Sequence, residues 1–294
     1  MRYAFWPGCV SKAGTPELFP AATAVANKIG MDLVELDQAN CTGAGVLGER
    51  NEELVDTLNA RNFAMAEQMG LDTILTICST CQGVMSSVNY KLREKPEYLA
   101  KINENLKEEG LEYKGTVRVT HMMWAVVEEL GLDKLSEMVV NPLTGLRIAP
   151  FYGCYILRPR YVLGMDEHPD RTQYLEKIIA ALGAEPIDYE GKLRCCGFPI
   201  MTINQDNGLK MVANHTLEAK DKGAHALVTP CPLCHLNLDE FQPRAASKAG
   251  ESIDMPVLHL PQLIGSALGF NVKEMGLKRH IISTDNFVEI AGIS

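Results

Sequence analysis

The chain has 294 residues, of which 46% are hydrophobic and 22% charged, and its formal net charge is −9. This composition is typical of a folded globular protein, and the acidic balance disfavours a general binder of nucleic acids or anionic membranes. The first residues show no apolar segment with a small-residue cleavage site. No apolar run approaches the ~18 residues that cross a bilayer. We therefore expect a cytoplasmic protein that does not span a membrane.

The first half of the chain alternates predicted strands and helices. In chain order we expect a strand and cysteine loop at 5–9, a helix at about 17–29, a strand at 33–36, a loop at Cys41, a helix at about 52–69, and an apolar strand that delivers the CxxC motif Cys78-Ser79-Thr80-Cys81 to the start of a further helix. Asn51 is the predicted N-cap of the long helix, and Gly70 suits the position just past its end. The apolar stripe of that helix is approximated by Leu54, Leu58, Met65 and Met69.

The second half repeats this order of elements. We expect a strand and cysteine loop at 148–154, a helix at about 171–182, a strand at 186–189, a loop with Cys195-Cys196, a helix at about 207–222, and an apolar strand that ends in Cys231-Pro232-Leu233-Cys234. The segments that end in the two CxxC motifs match at a constant offset of 153 positions. We therefore define an N-terminal repeat at 1–145, a C-terminal repeat at 146–275 and a tail of mixed character at 276–294.

Strands that alternate with helices predict an α/β fold, here with two pseudo-symmetric repeats, each containing a mostly parallel sheet flanked by helices. Sites in such folds gather outside the carboxyl ends of the strands, where the cysteine loops fall in both repeats. We expect the cysteine sites to lie in loops between the repeats. Gly43 and Gly197 follow the second cysteine loops and are predicted to have positive φ or to allow a close approach of the backbone.

Nine cysteines in a reducing compartment favour metal ligands over a disulfide framework. The N-terminal repeat contributes four and the C-terminal repeat five, namely Cys9, Cys41, Cys78 and Cys81, then Cys154, Cys195, Cys196, Cys231 and Cys234. Thiolates are soft donors that suit iron–sulfur clusters and zinc, and a set of four fits either. Five with an adjacent pair fit a zinc tetrahedron poorly, because chain neighbours reach different irons of a cluster more easily than one small ion.

The C-terminal set, in which Cys195-Cys196-Gly197 stands between Cys154 and the CxxC motif, resembles the cysteine-rich CCG domain. Two such units over about residues 1–275 resemble the B-type subunit of heterodisulfide reductase and its relatives. The resemblance implies two partner subunits, one ferredoxin-like and one a flavoprotein. It also implies a noncubane 4Fe–4S cluster, the site of disulfide, thiol or bound-sulfur redox chemistry, held by Cys154, Cys195, Cys196, Cys231 and Cys234.

The N-terminal repeat departs from this family pattern at Thr42, which stands where the second cysteine of the adjacent pair belongs. We therefore expect a simpler 4Fe–4S cluster there, with zinc as the alternative, held by Cys9, Cys41, Cys78 and Cys81. This departure, together with the motif PGCVSK at 7–12, looks more like the heterodisulfide reductase-like subunits of bacterial sulfur-oxidising complexes. That resemblance implies a lipoate-carrying protein as a further partner.

Two pairs of residues outside the cysteine sets have two interpretations each. Arg158 and Arg160 follow Cys154 closely, and they either bind a substrate carboxylate or sulfur oxyanion or belong to an ordinary solvated or ion-paired loop. His121 and His259 occupy equivalent repeat positions before a helix. They either bind a metal or cap and pack that helix, and no ligand spacing joins them to the cysteines.

Three functions compete on this basis. The leading hypothesis is an oxidoreductase, the catalytic subunit of a heterodisulfide reductase-like complex. The second is a non-catalytic electron-transfer subunit of such a complex, and the third is a zinc-bearing interaction module. The sequence determines neither the substrate nor the direction of electron flow.

Overall fold

Two parallel sheets, one in each repeat, form the framework of the molecule, whose computed structural model describes residues 1–294 apart from the side chain of Val46. The strands of the N-terminal repeat are β1 (Arg2–Trp6), β2 (Asp32–Glu35), β3 (Thr73–Thr76) and β4 (Arg118–His121). Its helices are α1 (Cys9–Lys12), α2 (Leu18–Lys28), α3 (Val46–Arg50), α4 (Glu52–Gln68), α5 (Ser79–Glu94), α6 (Pro96–Leu106), α7 (Met122–Ala125) and α8 (Leu132–Glu137), with a 3-10 turn at Lys107–Glu109 and a π-helical turn at Val126–Leu130.

The C-terminal repeat contains β5 (Arg147–Pro150), β6 (Glu185–Pro186), β7 (Ala226–Thr229) and β8 (Val257–His259). Its helices are α9 (Tyr174–Ala181), α10 (Phe198–Met201), α11 (Gln205–Asp221), α12 (Pro232–Glu240), α13 (Gln242–Ala249) and α14 (Leu260–Ala267), with 3-10 turns at Pro169–Gln173 and Glu190–Leu193. The tail adds a 3-10 turn at Leu277–Arg279 and helix α15 (Asp285–Ala291).

The two sheets have the same topology. The strand order is β2-β1-β3-β4 in the N-terminal repeat and β6-β5-β7-β8 in the C-terminal repeat, and all pairings are parallel. The predicted α/β fold with two pseudo-symmetric repeats is therefore confirmed. The strand expected at 186–189 is shorter, and Pro186 lies in it at a sheet edge. The N–H groups of Glu185 and Ile187 form the ladder bonds there, so the missing N–H of Pro186 costs none.

The central strands are buried on both faces, as is usual for parallel sheets. Alternate residues of each strand enter two different hydrophobic clusters. Phe5 of β1 and Ile148 of β5 belong to the first cluster, whereas Ala4 and Ala149 belong to the second. Each cluster thus draws residues from both repeats, and the two repeats share their cores.

Helices pack across the boundary between the repeats in equivalent pairs. Helix α14 of the C-terminal repeat packs against α2 of the N-terminal repeat, and α7 packs against α9. Because α2 is equivalent to α9 and α7 to α14, the two contacts are related by an approximate twofold axis. This exchange holds the repeats in one arrangement, with the carboxyl ends of their central strands facing each other.

Helix α4 buries a different face from the predicted one. Leu54 and Met69, which belong to the predicted apolar stripe, are 40% and 44% exposed. The buried residues are Val55, Asp56, Asn59, Ala60, Asn62, Phe63, Ala64 and Ala66. The predicted stripe was wrong because an apolar pattern overlooks buried asparagines, which here bind backbone of the cysteine loop. The N-cap prediction is confirmed, since Asn51 Oδ1 accepts a hydrogen bond from the Leu54 N–H at 3.0 Å.

The tail packs onto the folded core. Leu277 and Phe287 are buried, and the Asn141 side chain donates to the Ala291 carbonyl at 3.0 Å. Asp239 of α12 accepts hydrogen bonds from the Ile281 and Ile282 N–H groups at 2.7 and 3.0 Å. Residues after 275 therefore contribute contacts to both repeats.

The two faces of α4 predict unequal effects of truncation. Phe63→Ala removes a fully buried ring that packs against Tyr113 at 5.0 Å, and we expect it to lower the free energy of unfolding by about 3–5 kcal/mol. Leu54→Ala, on the exposed face, should change it by less than ~0.5 kcal/mol. Denaturant unfolding of both variants measures the difference. Equal losses would show that the helix buries the stripe predicted from the sequence.

Candidate metal centres

The cysteines lie at the carboxyl ends of the strands in both repeats, where the fold was expected to place a site. Cys78 and Cys231 are the N-caps of α5 and α12, immediately after β3 and β7. Each helix carries the second cysteine of its CxxC motif, Cys81 or Cys234, in its first turn. All nine cysteines are free thiols in the described chain.

The five cysteines of the C-terminal repeat form one connected group. Side-chain hydrogen bonds link Cys154 to Cys195, Cys195 to Cys196, Cys196 to Cys234 and Cys234 to Cys231. Three of the five cysteines are buried and two are half-buried, and the structure brings together residues that are up to 80 positions apart in the sequence. The donor set is soft, crowded and largely shielded from water, which fits an iron–sulfur cluster.

The four cysteines of the N-terminal repeat form a looser group. Cys9 is hydrogen-bonded to Cys41, and Cys78 is hydrogen-bonded to Cys81. Cys78 and Cys81 are buried, whereas Cys9 and Cys41 are exposed. This group therefore reaches the surface, through a shallow depression that also contains Trp6 and Lys12.

Crowding makes neighbouring thiols share protons unequally. The hydrogen bond from Cys154 is the main reason that the pKa of Cys195 falls to about 2, while the pKa of Cys154 rises. The hydrogen bond from Cys9 likewise lowers the pKa of Cys41 to about 6. Thiols this close cannot all ionise beside one another unless a cation compensates their charge. Both groups are therefore chemically suited to metal binding, in which every ligand is a thiolate.

Thr42 occupies the place in the N-terminal group that Cys196 has in the C-terminal group. Its hydroxyl lies 3.5 Å from the Cys81 sulfur, and Cys196 is hydrogen-bonded to the equivalent residue, Cys234. Thr42 is completely buried. The side chain therefore points into the donor set and supplies a hydroxyl where a thiolate would stand.

Buried polar side chains hold the second cysteine loops from behind. In the N-terminal repeat, Asn59 donates to the Thr42 carbonyl at 2.9 Å and Asn62 donates to the Asn40 carbonyl at 3.1 Å. His215, which matches Asn62 in the repeat, hydrogen-bonds the Cys195 carbonyl at 2.9 Å. These residues were not predicted from the sequence, although polar residues at inward positions of two equivalent helices were a usable signal.

Glycines allow the loops to approach the thiols. Gly43 and Gly197 have φ of 72° and 92°, which confirms the predicted positive φ. Gly153 has φ of 74°, and a Cβ there would lie 2.8 Å from the Cys234 sulfur. A side chain at this position would therefore displace a thiol of the C-terminal group.

The two thiol groups meet at the approximate twofold axis. Cys78 of the N-terminal group is hydrogen-bonded to Cys231, its equivalent in the C-terminal group. Ser79 Oγ donates to the Pro230 carbonyl at 3.2 Å, and Thr80 Oγ1 lies 3.3 Å from the Cys231 sulfur. The CxxC turn of one repeat is thus bonded directly to that of the other.

A cavity of about 470 Å³ opens over the C-terminal group. Its wall includes Cys154, Cys196, Cys231 and Cys234. The N-terminal repeat closes the other side with its loop at 43–45, with Val55 of α4 and with Thr80 and Val84 of α5. Among the described lining residues, none is a cysteine of the N-terminal group. The cavity therefore gives access to one thiol group only.

The two arginines lie outside this cavity. Arg158 lines an adjoining cavity of about 180 Å³, which shares Tyr155 with the larger one. Arg160 is exposed and donates to the Met165 carbonyl at 3.4 Å, with Asp166 3.5 Å away. The structure thus places Arg158 near the thiols of the C-terminal group, and it places Arg160 in a loop ion pair.

His121 and His259 begin α7 and α14 as N-caps. The His121 ring accepts from the Met123 N–H at 3.0 Å through Nδ1, and its Nε2 lies 3.0 Å from the Pro230 carbonyl. His259 forms a capping box with Gln262. The capping interpretation of both residues is therefore confirmed.

A cluster of buried titratable groups near Cys234 was not anticipated from the sequence. His235 stacks on His259 at 3.7 Å, and His259 Nε2 contacts Glu17 Oε1 at 3.1 Å. Two overlapping groups here have a geometry that could hold a metal ion, one of Glu17, His235 and His259 and the other of His235, Asp239 and His280. Burial lowers the pKa of His280 to about 4 and raises the pKa of Asp239 to about 6. These shifts favour the uncharged forms of both groups.

Hydrogen bonds occupy some of the ring nitrogens of this cluster, whereas among the described residues His235 Nδ1 is buried without a hydrogen-bond partner. Gln262 Nε2 donates to the Met275 carbonyl at 2.9 Å, and its Oε1 accepts from the His259 N–H at 2.9 Å, so its amide orientation is determined. The same Nε2 donates to His280 Nε2 at 2.8 Å and uses the lone pair that a metal would need. The capping box uses the second His259 nitrogen in the same way. A metal in this cluster would therefore compete with Gln262 for His280 Nε2, while His235 Nδ1 remains unpartnered.

Comparisons with known proteins agree with this architecture. The model of the cysteine-rich domain CCG matches twice, at residues 3–86 and 148–239. The chain is 37% identical, over 96% of its length and 97% of the relative's, to the 8-methylmenaquinol:fumarate reductase membrane anchor subunit of Wolinella succinogenes. It is 32% identical, over 98% of its length and 96% of the relative's, to the B-type subunit of the ferredoxin/F(420)H(2)-dependent CoB-CoM heterodisulfide reductase of Methanosarcina acetivorans.

The fold and the repeated thiol sites define a duplicated cysteine-rich redox protein. The chain belongs to the CCG family that includes the B-type subunit of heterodisulfide reductase. A solved structure of a hypothetical protein from Helicobacter pylori has the same fold, with a TM-score of 0.76 at 18% identity. That match covers 96% of this chain and 52% of the other. Among helices of the described residues, none has the length and apolar character to cross a membrane.

The contact between Thr80 and Cys231 predicts an effect on redox potential. If the C-terminal thiols hold an iron–sulfur cluster, a hydroxyl that donates to one of its thiolates stabilises the reduced state, and Thr80→Val should lower the midpoint potential of that cluster. A net hydrogen bond of about 1 kcal/mol corresponds to roughly 40 mV for one electron. Redox titration followed by electron paramagnetic resonance measures the shift.

Thr216→Val is the matched control for this substitution. Thr216 is buried, but its hydroxyl bonds carbonyls of its own helix rather than a thiol. The Thr216→Val substitution should leave the midpoint potential of the C-terminal centre within a few mV of the wild-type value. A shift of equal size in both variants would mean that Thr80 acts through packing.

Proposed function

We propose that this chain is the iron–sulfur subunit of a heterodisulfide reductase-like complex and that it carries out disulfide, thiol or bound-sulfur redox chemistry in its C-terminal repeat. The observation that carries this proposal is the cavity over Cys154, Cys196, Cys231 and Cys234. A substrate can approach the C-terminal group through it, whereas the N-terminal thiols face a different surface depression.

The two donor sets support two different clusters. The five thiols of the C-terminal repeat would hold a noncubane 4Fe–4S cluster, and Cys9, Cys41, Cys78 and Cys81 would hold a simpler 4Fe–4S cluster. When bound, such clusters supply one-electron transfer and an iron at which a sulfur can bind. Thr42 limits the N-terminal set to four thiolates because its hydroxyl stands where the fifth would be.

The chain itself determines how close the two centres lie and which of them is exposed to partners. The bonded pair Cys78 and Cys231 places the two centres next to each other, which suits electron exchange between them. Exposed Cys9 and Cys41 make the N-terminal centre the side at which a redox partner can dock. We assign this side to a ferredoxin-like subunit, with a flavoprotein subunit farther out. A lipoate-carrying protein would approach from the cavity side.

The 37% identical relative from Wolinella succinogenes supports a second candidate function. Its name describes a subunit of an 8-methylmenaquinol:fumarate reductase. The cavity of this chain includes Phe198, Pro199, Ile203 and Leu233, an apolar wall that a quinol ring would also fit. In this alternative, the chain transfers electrons from a quinol to a reductase partner.

Substrate perturbation separates these candidates. If the proposal is correct, adding an organic disulfide or thiol to the holoprotein changes the paramagnetic resonance spectrum of the C-terminal centre, because sulfur binds beside its iron. A menaquinol analogue should leave the spectral shape unchanged. A change with the quinol analogue alone would support the second function, and indifference to every candidate would leave an electron-transfer subunit.

Substitutions of the two equivalent positions test the cluster assignment. Cys196→Ser should remove the spectrum of the C-terminal centre and leave the other intact. Thr42→Cys should change the N-terminal spectrum, because it adds a thiol about 3.5 Å from the Cys81 sulfur, in the place of the Thr42 hydroxyl. Thr57→Cys, an added thiol whose parent hydroxyl bonds the Glu53 carbonyl, is the control and should change neither.

Metal and acid-labile sulfide analysis of the purified protein accompanies these spectra. Iron and sulfide in similar amounts are expected. Zinc without sulfide would reject both clusters and support an interaction module. Spectra that are indifferent to Cys196→Ser would show that the five-thiol assignment is wrong.

A further inference from the structure

We propose that the cavity over the C-terminal thiols selects sulfur compounds whose sulfur-bearing end is uncharged and apolar, and that it rejects those with a negative charge close to the sulfur. This inference rests on the proposed function, because it describes the substrate class of the same cavity.

Within the described part of the cavity wall, no side chain carries a positive charge that could pair with an anionic substrate. Among its described lining residues, none is lysine, arginine or histidine, and much of the wall beside the thiols is apolar, with Val84, Phe198, Pro199 and Leu233. A desolvated anion in such surroundings loses its hydration without gaining an ion pair. Burial of an apolar group of the same size makes the free energy of binding more favourable instead.

The polar groups of the wall are mostly committed to other partners. Ser79 donates to the Pro230 carbonyl, and Thr80 contacts the Cys231 sulfur. Tyr152 donates its hydroxyl hydrogen to Glu176, and its oxygen accepts from the Leu175 N–H at 2.8 Å. The starts of α5 and α12 direct their positive ends at the thiols of Cys78 and Cys231, their own N-caps. The wall therefore offers few donors to a sulfonate or carboxylate.

Glu49 adds a negative charge at the same wall. It lines the cavity from α3 and is exposed. Tyr155, the residue after Cys154, lines the same cavity. A substrate anion near the sulfur would therefore face a carboxylate as well as the thiol group.

Lys91 and Arg158 line the adjoining cavity, which shares Tyr155 with the larger one. Lys91 is already paired with Asp56 at 2.7 Å and with Glu52. Arg158 does not line the larger cavity, and it can pair with a substrate group that extends past Tyr155 into the adjoining one. The selection rule therefore concerns charge next to the sulfur and not the far end of a long substrate.

A matched pair of thiols tests the rule. We would titrate the holoprotein with 3-mercaptopropan-1-ol and with 3-mercaptopropane-1-sulfonate and follow the paramagnetic resonance spectrum of the C-terminal centre. The neutral thiol should reach its half-maximal effect at a concentration at least about tenfold lower, because only the sulfonate meets uncompensated negative charge. Replacing the alcohol by 6-mercaptohexan-1-ol should lower this concentration further, since its longer arm buries more apolar surface.

Two carboxylate substitutions test whether the cavity wall causes the difference between the neutral thiol and the sulfonate. Glu49→Gln should reduce the ratio between the two thiols about threefold or more. Glu108→Gln, an equal loss of charge on the exposed turn after α6, should leave the ratio unchanged. An unchanged ratio in Glu49→Gln would overturn the role of that carboxylate.

The outcomes of these experiments distinguish failure of the charge-selection rule from failure of the proposed sulfur chemistry. A sulfonate that acts at the same or a lower concentration than the alcohol overturns the charge rule and leaves the proposed sulfur chemistry standing. A C-terminal spectrum that responds to no thiol, while Cys196→Ser still abolishes it, overturns the proposed function and the rule with it.

Discussion

The contact between Cys78 and Cys231 at the approximate twofold axis is the constraint on which the rest of the structure depends. Each thiol is an N-cap at the end of a central strand, so the two sheets must point their carboxyl ends at one another. The exchanged packing of α14 on α2 and of α7 on α9 keeps them there. A shared core of this kind leaves little freedom for one repeat to move against the other, and the two thiol groups stay at a fixed separation.

Within this near-symmetric frame, the two repeats differ where chemistry requires it. Thr42 and Cys196 occupy equivalent places, and one hydroxyl in place of a thiolate leaves the N-terminal group with four sulfur donors. The residues that follow Gly43 and Gly197 also differ, since Ala44-Gly45 is small, whereas Phe198-Pro199, at the start of α10, is bulky and apolar. Both segments form part of the cavity wall. The duplicated fold thus yields one centre that faces a cavity and one that faces the surface.

Hydrogen bonds to the second cysteine loops are a second place where the repeats achieve the same result with different residues. Asn62 and His215 are equivalent in sequence. Asn62 donates to the carbonyl of Asn40, next to Cys41, and His215 hydrogen-bonds the carbonyl of Cys195. The position demands a buried polar side chain of suitable reach, and more than one residue type satisfies it. This explains why α4 buries asparagines in preference to some of its leucines and methionines.

The sequence by itself determined the duplication, the order of strands and helices, the nine cysteines and the departure at Thr42, because these depend on spacing and residue type along the chain. The same is true of the N-cap Asn51 and of the glycines with positive φ, whose causes lie within one turn. Only the tertiary structure decided that Asn59, Asn62 and His215 are buried behind the cysteine loops. It also decided that Arg160 faces Asp166 and that Gln262 donates to a ring nitrogen of His280 in a histidine cluster. These arrangements join residues far apart in the chain, and their hydrogen bonds form only after the helices have packed.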